Sequence, residues 1–392
     1  MPVVYLGRSK KKKKMQMTTT MLCAAGLLLV LLSPWEPVAS AAAAADARRR
    51  YDSIFGLGDS FTDTGNNPAV FGFYNLTDPV TRSPYGSTFF RRPTGRNCDG
   101  RLIIDFIAEG LGLPLVPPYL GPPFASPSAA ARNGSRFRQG ASLAVGGATA
   151  LDVEFYHSRG IPPGGTKFPL NTSLNVQLDW FDSLLKPSLC RTTQECAKLL
   201  GRSLFFVGEF GVNDYQFAFH NIKDEDIRSS RLIKAGAKAL VVPGVIPLGC
   251  SPLVLNVFPE PDASGYDSKT GCILKYNEVG RYHNTLLQES LEKIRANHSG
   301  VQIIYADFFG PIMEMIESPR EFGMRQDVLT VCCGGLGKHN YNISVPCGDS
   351  RATKCKDPAA SVYWDGVHFT EEANHHIAIS WLSSINSGAK SS

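Results

Sequence analysis

The stretch Ser53-Ile54-Phe55-Gly56-Leu57-Gly58-Asp59-Ser60-Phe61-Thr62-Asp63 decides the fold. Ile54 to Leu57 form a short apolar run of the kind buried inside a parallel sheet. Gly58 permits a sharp turn, and Asp59 and Ser60 suit the cap of a following helix. In an open α/β sheet, ligands gather just past the carboxyl ends of the strands, where Ser60 falls. Taken alone, Gly58-Asp59-Ser60 reads first as a strand-to-helix turn with a capping serine. Its reading as a nucleophile depends on residues far downstream.

Working outward, apolar runs at 203–207, 238–243 and 301–305 predict three more buried strands. The run 137–149 reads as a strand ending in Gly146-Gly147, or as a loop whose backbone approaches a ligand closely. Helical periodicity predicts helices over 102–111, 175–185 and 276–297, another starting at 311, and a last one ending near 384. In the long helix, Val279, Tyr282, Leu286, Leu287 and Ile294 form the expected apolar face. Residues 66–101 and 117–136 read as proline-rich loops. Strands alternating with helices predict an α/β fold with a mostly parallel sheet covered on both faces.

The chain has 392 residues and a formal charge of +5. Six of its 40 Lys and Arg precede residue 46, with one of the 35 acids, leaving 34 against 34 from Asp46 onward. A net-neutral remainder makes no case for nucleic acid as a partner. Lys10 to Lys14, the apolar core Leu22 to Leu32 and the small residues up to Ala45 form a signal-peptide pattern, so residues 1–45 are set apart from the fold. The core is too short to span a bilayer comfortably, and no membrane insertion is expected after cleavage. Nine of the ten cysteines follow the leader, none in a C-x-x-C pair. An odd number leaves at least one unpaired within the chain. Cys190 with Cys196, and Cys333 with Cys347 or Cys355, are plausible short loops; the full pairing stays open. Sequons at Asn75, Asn133, Asn171, Asn297 and Asn342 suit a secreted glycoprotein.

Near the carboxyl end, Asp365 and His368 stand in a loop before the last helix. One turn of chain can present both on one side. A histidine is the usual base for a serine, and a carboxylate orients its ring. Asn213 lies past the second predicted strand and Gly147 past the glycine-rich run, on loops expected at the same sheet edge.

Four blocks now stand in order: Gly58-Asp59-Ser60, Gly146-Gly147-Ala148-Thr149, Gly211-Val212-Asn213-Asp214 and Asp365-Gly366-Val367-His368. Together they resemble the GDSL esterase/lipases, the Ser-Gly-Asn-His hydrolases. The segments 93–96, 99–106, 242–250 and 332–335 are similar to the plant secreted branch. The resemblance covers nearly the whole chain after residue 45 and implies one domain over 46–392, a three-layer α/β/α sandwich of flavodoxin-like type. It implies Ser60 as nucleophile, His368 as base and then acid, and Asp365 as its partner. The oxyanion would be held by the backbone N–H of Ser60 and Gly147 and by the Asn213 amide, with no metal or other cofactor. No H-E-x-x-H motif is present, and His375 and His376 read as surface and core filler.

Departures from the family pattern set further expectations. Phe61 stands for Leu, Ser142 for Asn, and Val212 for Gly, where a β-branched residue would resist a positive φ. The crossover at 214–237 is short by a helix's worth of chain, with about three turns at 224–234. Sheet surface is therefore expected to be bare there. The function expected is a secreted, cell-wall or extracellular serine esterase acting on acetyl or acyl esters of polysaccharides, phenolics or lipids. A small acyl ester is favoured because no amphipathic lid helix is evident. The rival is a catalytically inactive glycan-binding or structural wall protein on the same fold.

Overall fold

The computed structural model describes residues 50–121, 134–161, 168–218 and 230–387. The expected leader, the Asn133 sequon and part of the short crossover lie outside these residues. Five parallel strands form one sheet in the order β2-β1-β3-β4-β5. They are β1 (Ser53–Leu57), β2 (Gly140–Ser142), β3 (Ser203–Val207), β4 (Ala239–Pro243) and β5 (Gln302–Ala306). A small antiparallel pair, β6 (Cys333–Gly334) and β7 (Thr353–Lys354), lies apart.

Eleven α-helices occur among the described residues: α1 (Asn67–Phe73), α2 (Ile103–Gly110), α3 (Val153–His157), α4 (Leu174–Leu184), α5 (Thr193–Gly201) and α6 (Val212–Ala218), then α7 (Ser230–Ala235), α8 (Pro252–Val257), α9 (Leu274–Asn297), α10 (Gly310–Glu317) and α11 (Glu371–Ser387). Successive strand residues point to opposite faces. Ile54, Leu204, Phe206, Val241 and Ile304 join a core with α2, α8, α10 and α11. Phe55, Leu57, Phe205, Leu240 and Ile303 join another with α4, α5, α7 and α9. This is the expected parallel α/β fold, with helices on both faces of the sheet.

Three expectations need correction. Helix α1 lies inside the segment read as loop, because Pro68 falls in a first turn, where a missing N–H is harmless. The buried stripe of α9 is Asn277, Gly280, Asn284, Leu287 and Leu291, while Val279 and Tyr282 are exposed. Polar residues take the inner face because loop backbone needs them. Asn277 accepts from Gly249 N, and Asn284 accepts from Val245 N and donates to Val245 O. Nor are the strands at the short crossover bare. β3 and β4 pair in parallel with Leu204 opposite Ala239, and every residue of both is buried. Leu200 of α5 and Leu232 of α7 pack in the same core.

The disulfides are Cys190–Cys196, Cys250–Cys272, Cys332–Cys355 and Cys333–Cys347, with Cys98 buried as a free thiol. Asn75, Asn171 and Asn297 are exposed and Asn342 is half-buried. No described helix is long and apolar enough to cross a membrane.

Candidate active site

Strands β2, β1 and β3 are neighbours, and the loops after their carboxyl ends bring Gly147, Ser60 and Asn213 together. Val207 stands opposite Leu57, so the chain beyond β3 runs directly beside the Ser60 turn. The approach leaves no room for a side chain at Gly58. A Cβ there would lie 2.5 Å from Gly208 O, at a φ of +156°. The turn itself is wound by Asp59, whose carbonyl accepts from Thr62 N and Asp63 N, and whose Oδ1 accepts from Phe61 N at 3.0 Å.

His368 arrives from a loop that closes on itself. Trp364 N donates to His368 O at 2.8 Å, and Thr370 N donates to Val362 O. At its tip, Asp365 Oδ1 accepts from Val367 N and His368 N. His368 Nδ1 lies 2.9 Å from both Asp365 oxygens, and His368 Nε2 lies 2.7 Å from Ser60 Oγ. The three expected side chains thus form one continuous chain. Tyr85, unanticipated from the sequence, donates to Asp365 Oδ2 at 2.9 Å. Phe61 packs its ring 5.5 Å from that of His368 and 5.1 Å from Phe308, so the larger side chain fills space beneath the histidine.

The electrostatics suit a base. Burial works against charge on His368, but the Asp365 carboxylate, by charge and by hydrogen bond, together with Asp59, raises its pKa above the ordinary value. Burial works equally against the Asp365 anion. There the His368 charge and hydrogen bonds prevail and hold the carboxyl below its usual range.

Backbone also faces this site. Among the described residues, the N–H groups of Ser60 and Gly147 have no protein acceptor. Buried carboxylates hold the loop that carries Gly147. Asp63 accepts from the N–H of Gly65, Asn66, Asn67 and Gly146. Asp214 accepts from Ala150 N, Leu151 N and Tyr156 OH. Ser142, at the end of β2, donates to Thr62 O at 2.7 Å. Asn213 reaches the cavity wall from the first turn of α6. Its amide hydrogens are engaged by Asp59 Oδ2 at 2.8 Å and Ala148 O at 3.0 Å. Val212 opens α6 without strain, because the positive φ of this turn falls on Gly211 at +136°.

These groups surround a cavity of about 190 Å³. Phe71, Pro79, Val212 and Val367 supply apolar wall, and Asn67, Asp78, Asn97 and Gln216 supply polar wall. No described cluster of His, Cys, Asp or Glu is arranged to hold a metal ion. His375 stacks on Phe106 and His376 packs edge-on to Phe322.

An open parallel α/β sheet with a hydrogen-bonded serine, histidine and aspartate past its strand ends has the architecture of a serine hydrolase. The profile of the GDSL-like lipase/acylhydrolases matches residues 54–381, and the chain belongs to that family. Similar proteins include a GDSL esterase/lipase of Arabidopsis thaliana, 41% identical over 350 residues, covering 85% of this chain and 91% of the relative. Another is the sinapine esterase of Brassica napus, 38% identical over 352 residues, covering 84% and 85%. The protein is a serine carboxylic-ester hydrolase.

Proposed function

We propose that Ser60 attacks the carbonyl of a small carboxylic ester and forms an acyl-serine intermediate. His368 Nε2 takes the Ser60 proton, and Asp365 stabilises the imidazolium that results. The oxyanion is held by the N–H of Ser60 and Gly147, with the Asn213 amide beside them; such a donor is worth about 3 kcal/mol. His368 then protonates the leaving alcohol, and water repeats the sequence to release the acid. The carrying observation is the Ser60–His368–Asp365 chain of hydrogen bonds, opening onto the cavity.

A 190 Å³ cavity suits a small acyl group better than a long chain, being below the about 300 Å³ at which drug-sized sites begin. Acetyl esters of wall polysaccharides and esters of phenolic acids both fit that limit, and the Brassica napus sinapine esterase supports the second. Four disulfides and exposed sequons support an extracellular protein.

Fluorophosphonate labelling tests the reading, with Ser60→Ala and His368→Ala beside the parent and circular dichroism on all three. The parent should label and both folded variants should not. A folded parent that does not label would overturn it in favour of a binding protein on this fold.

A further inference from the structure

Glu209 lies just past β3, is 1% exposed, and has no part in the acyl-transfer steps above. Its Oε1 accepts from Val212 N at 3.1 Å, while no donor reaches its Oε2. The titratable groups facing it are Asp59 from the nucleophile turn, within hydrogen-bond reach, and Asp214 from α6. His283 of α9 lies across Gly211, paired with Tyr215 OH, and burial lowers its pKa to about 4, so it brings no charge. The charge of His368 acts on Asp59 as well. A buried carboxyl with only carboxylates for charged neighbours keeps its proton. Burial pushes Glu209 well above the ordinary range and lifts Asp59 to about 7.

We propose that Glu209 is a positioning residue: it donates its carboxyl proton to Asp59, and the singly charged pair aims the Asn213 amide at the oxyanion position. The inference rests on the acyl-transfer reading of this site. With one proton in the pair, Asp59 accepts from Phe61 N and from Asn213, and the Ala148 carbonyl pins the other amide hydrogen. Loss of the shared proton places two anions side by side in the interior. Whether they separate or draw harder on nearby donors, the Asn213 amide is re-aimed. The second charge also acts on His368, whose protonation Asp59 already favours. Activity then has an alkaline limb that belongs to the pair rather than to either residue.

The test is kcat and KM for para-nitrophenyl acetate across pH, for the parent, E209Q and E209A, with circular dichroism at each pH. The parent should lose kcat on the alkaline side. E209Q, which donates an amide hydrogen but cannot ionise, should lack that limb. E209A should lower kcat about 10- to 100-fold with KM little changed. A parent profile flat up to alkaline unfolding overturns the proposal, as does an alkaline limb retained in E209Q or a folded E209A with the parent's kcat. If E209A does not fold, the parent and E209Q profiles decide. A folded parent that neither labels nor turns over overturns the acyl-transfer reading itself, and this inference with it.

Discussion

The side-chain amide of Gln177 clasps Gly58 at both ends: Oε1 accepts from Gly58 N and Nε2 donates to Gly58 O, each at 2.8 Å, beside Val145 N, which donates to the same carbonyl at 3.1 Å. Gln177 sits on α4, which packs on the sheet face opposite the last helix, and it also donates to Thr172 O. The bend that presents Ser60 is thus held by a residue 119 positions away. Gln177→Ala should leave the Gly58 N–H unpaired in a buried place, while the Gly58 C=O keeps Val145 N as its donor. The expected loss is about 1–3 kcal/mol of stability by urea unfolding, with kcat down about tenfold.

The raised pKa of His368 fixes the sign of the acid limb. The ring must be neutral to accept the Ser60 proton, so kcat/KM should rise with pH through a value above the ordinary 6.5. Asp365→Asn removes the anion that favours the imidazolium. The limb should shift to lower pH, and kcat should fall by about a thousandfold or more. Tyr85→Phe removes one donor to Asp365 and keeps the ring packing on Trp364, so a loss of a few-fold in kcat is expected.

Burial lifts Asp78 from an ordinary 3.8 to about 7. The native carboxyl then holds its proton more tightly than the unfolded one. Its contribution to stability is complete below about pH 4 and is lost as pH rises through 7. Asp63, lifted by burial to about 6 despite its four backbone donors, acts in the same direction. The melting temperature should therefore fall between pH 4 and pH 8. Asp78→Asn should gain on the order of 2 kcal/mol over the parent at pH 8 and nothing at pH 4.

Cys332 and Cys333 donate backbone hydrogen bonds to Tyr363 O and Trp364 O, the residues immediately before Asp365. Their disulfides to Cys355 and Cys347 brace the loop that carries Asp365 and His368. Replacing Cys333 and Cys347 together by Ala should cost about 2–4 kcal/mol and lower kcat more than KM changes. Denaturant unfolding and steady-state kinetics check both.

Much of the site was legible because its signals are local. The apolar run and glycine stop at 54–58, the paired glycines at 146–147, and the spacing of Asp365 and His368 each depend on a few neighbouring residues. Turn and strand chemistry act over that range. The proposed roles of Ser60, Gly147, Asn213, Asp365 and His368 rest on those blocks. The partners of Asp59, Asp63, Tyr85, Gln177 and Glu209 had no such signal. An isolated acid or amide in sequence does not say whether it will be buried, or against what.

The sequence by itself determined the parallel α/β class, the strand cores and the residues that meet at the sheet edge, since hydrophobic period and turn residues act along the chain. Only the tertiary structure decided that Asn277, Gly280 and Asn284 line the inner face of α9, and that Cys332 pairs with Cys355. It alone decided that Asn213 already spends both amide hydrogens on Asp59 and Ala148. Those outcomes turn on unpaired backbone groups, thiols and charges brought from distant segments into one dry interior. There each must find a partner or keep its proton.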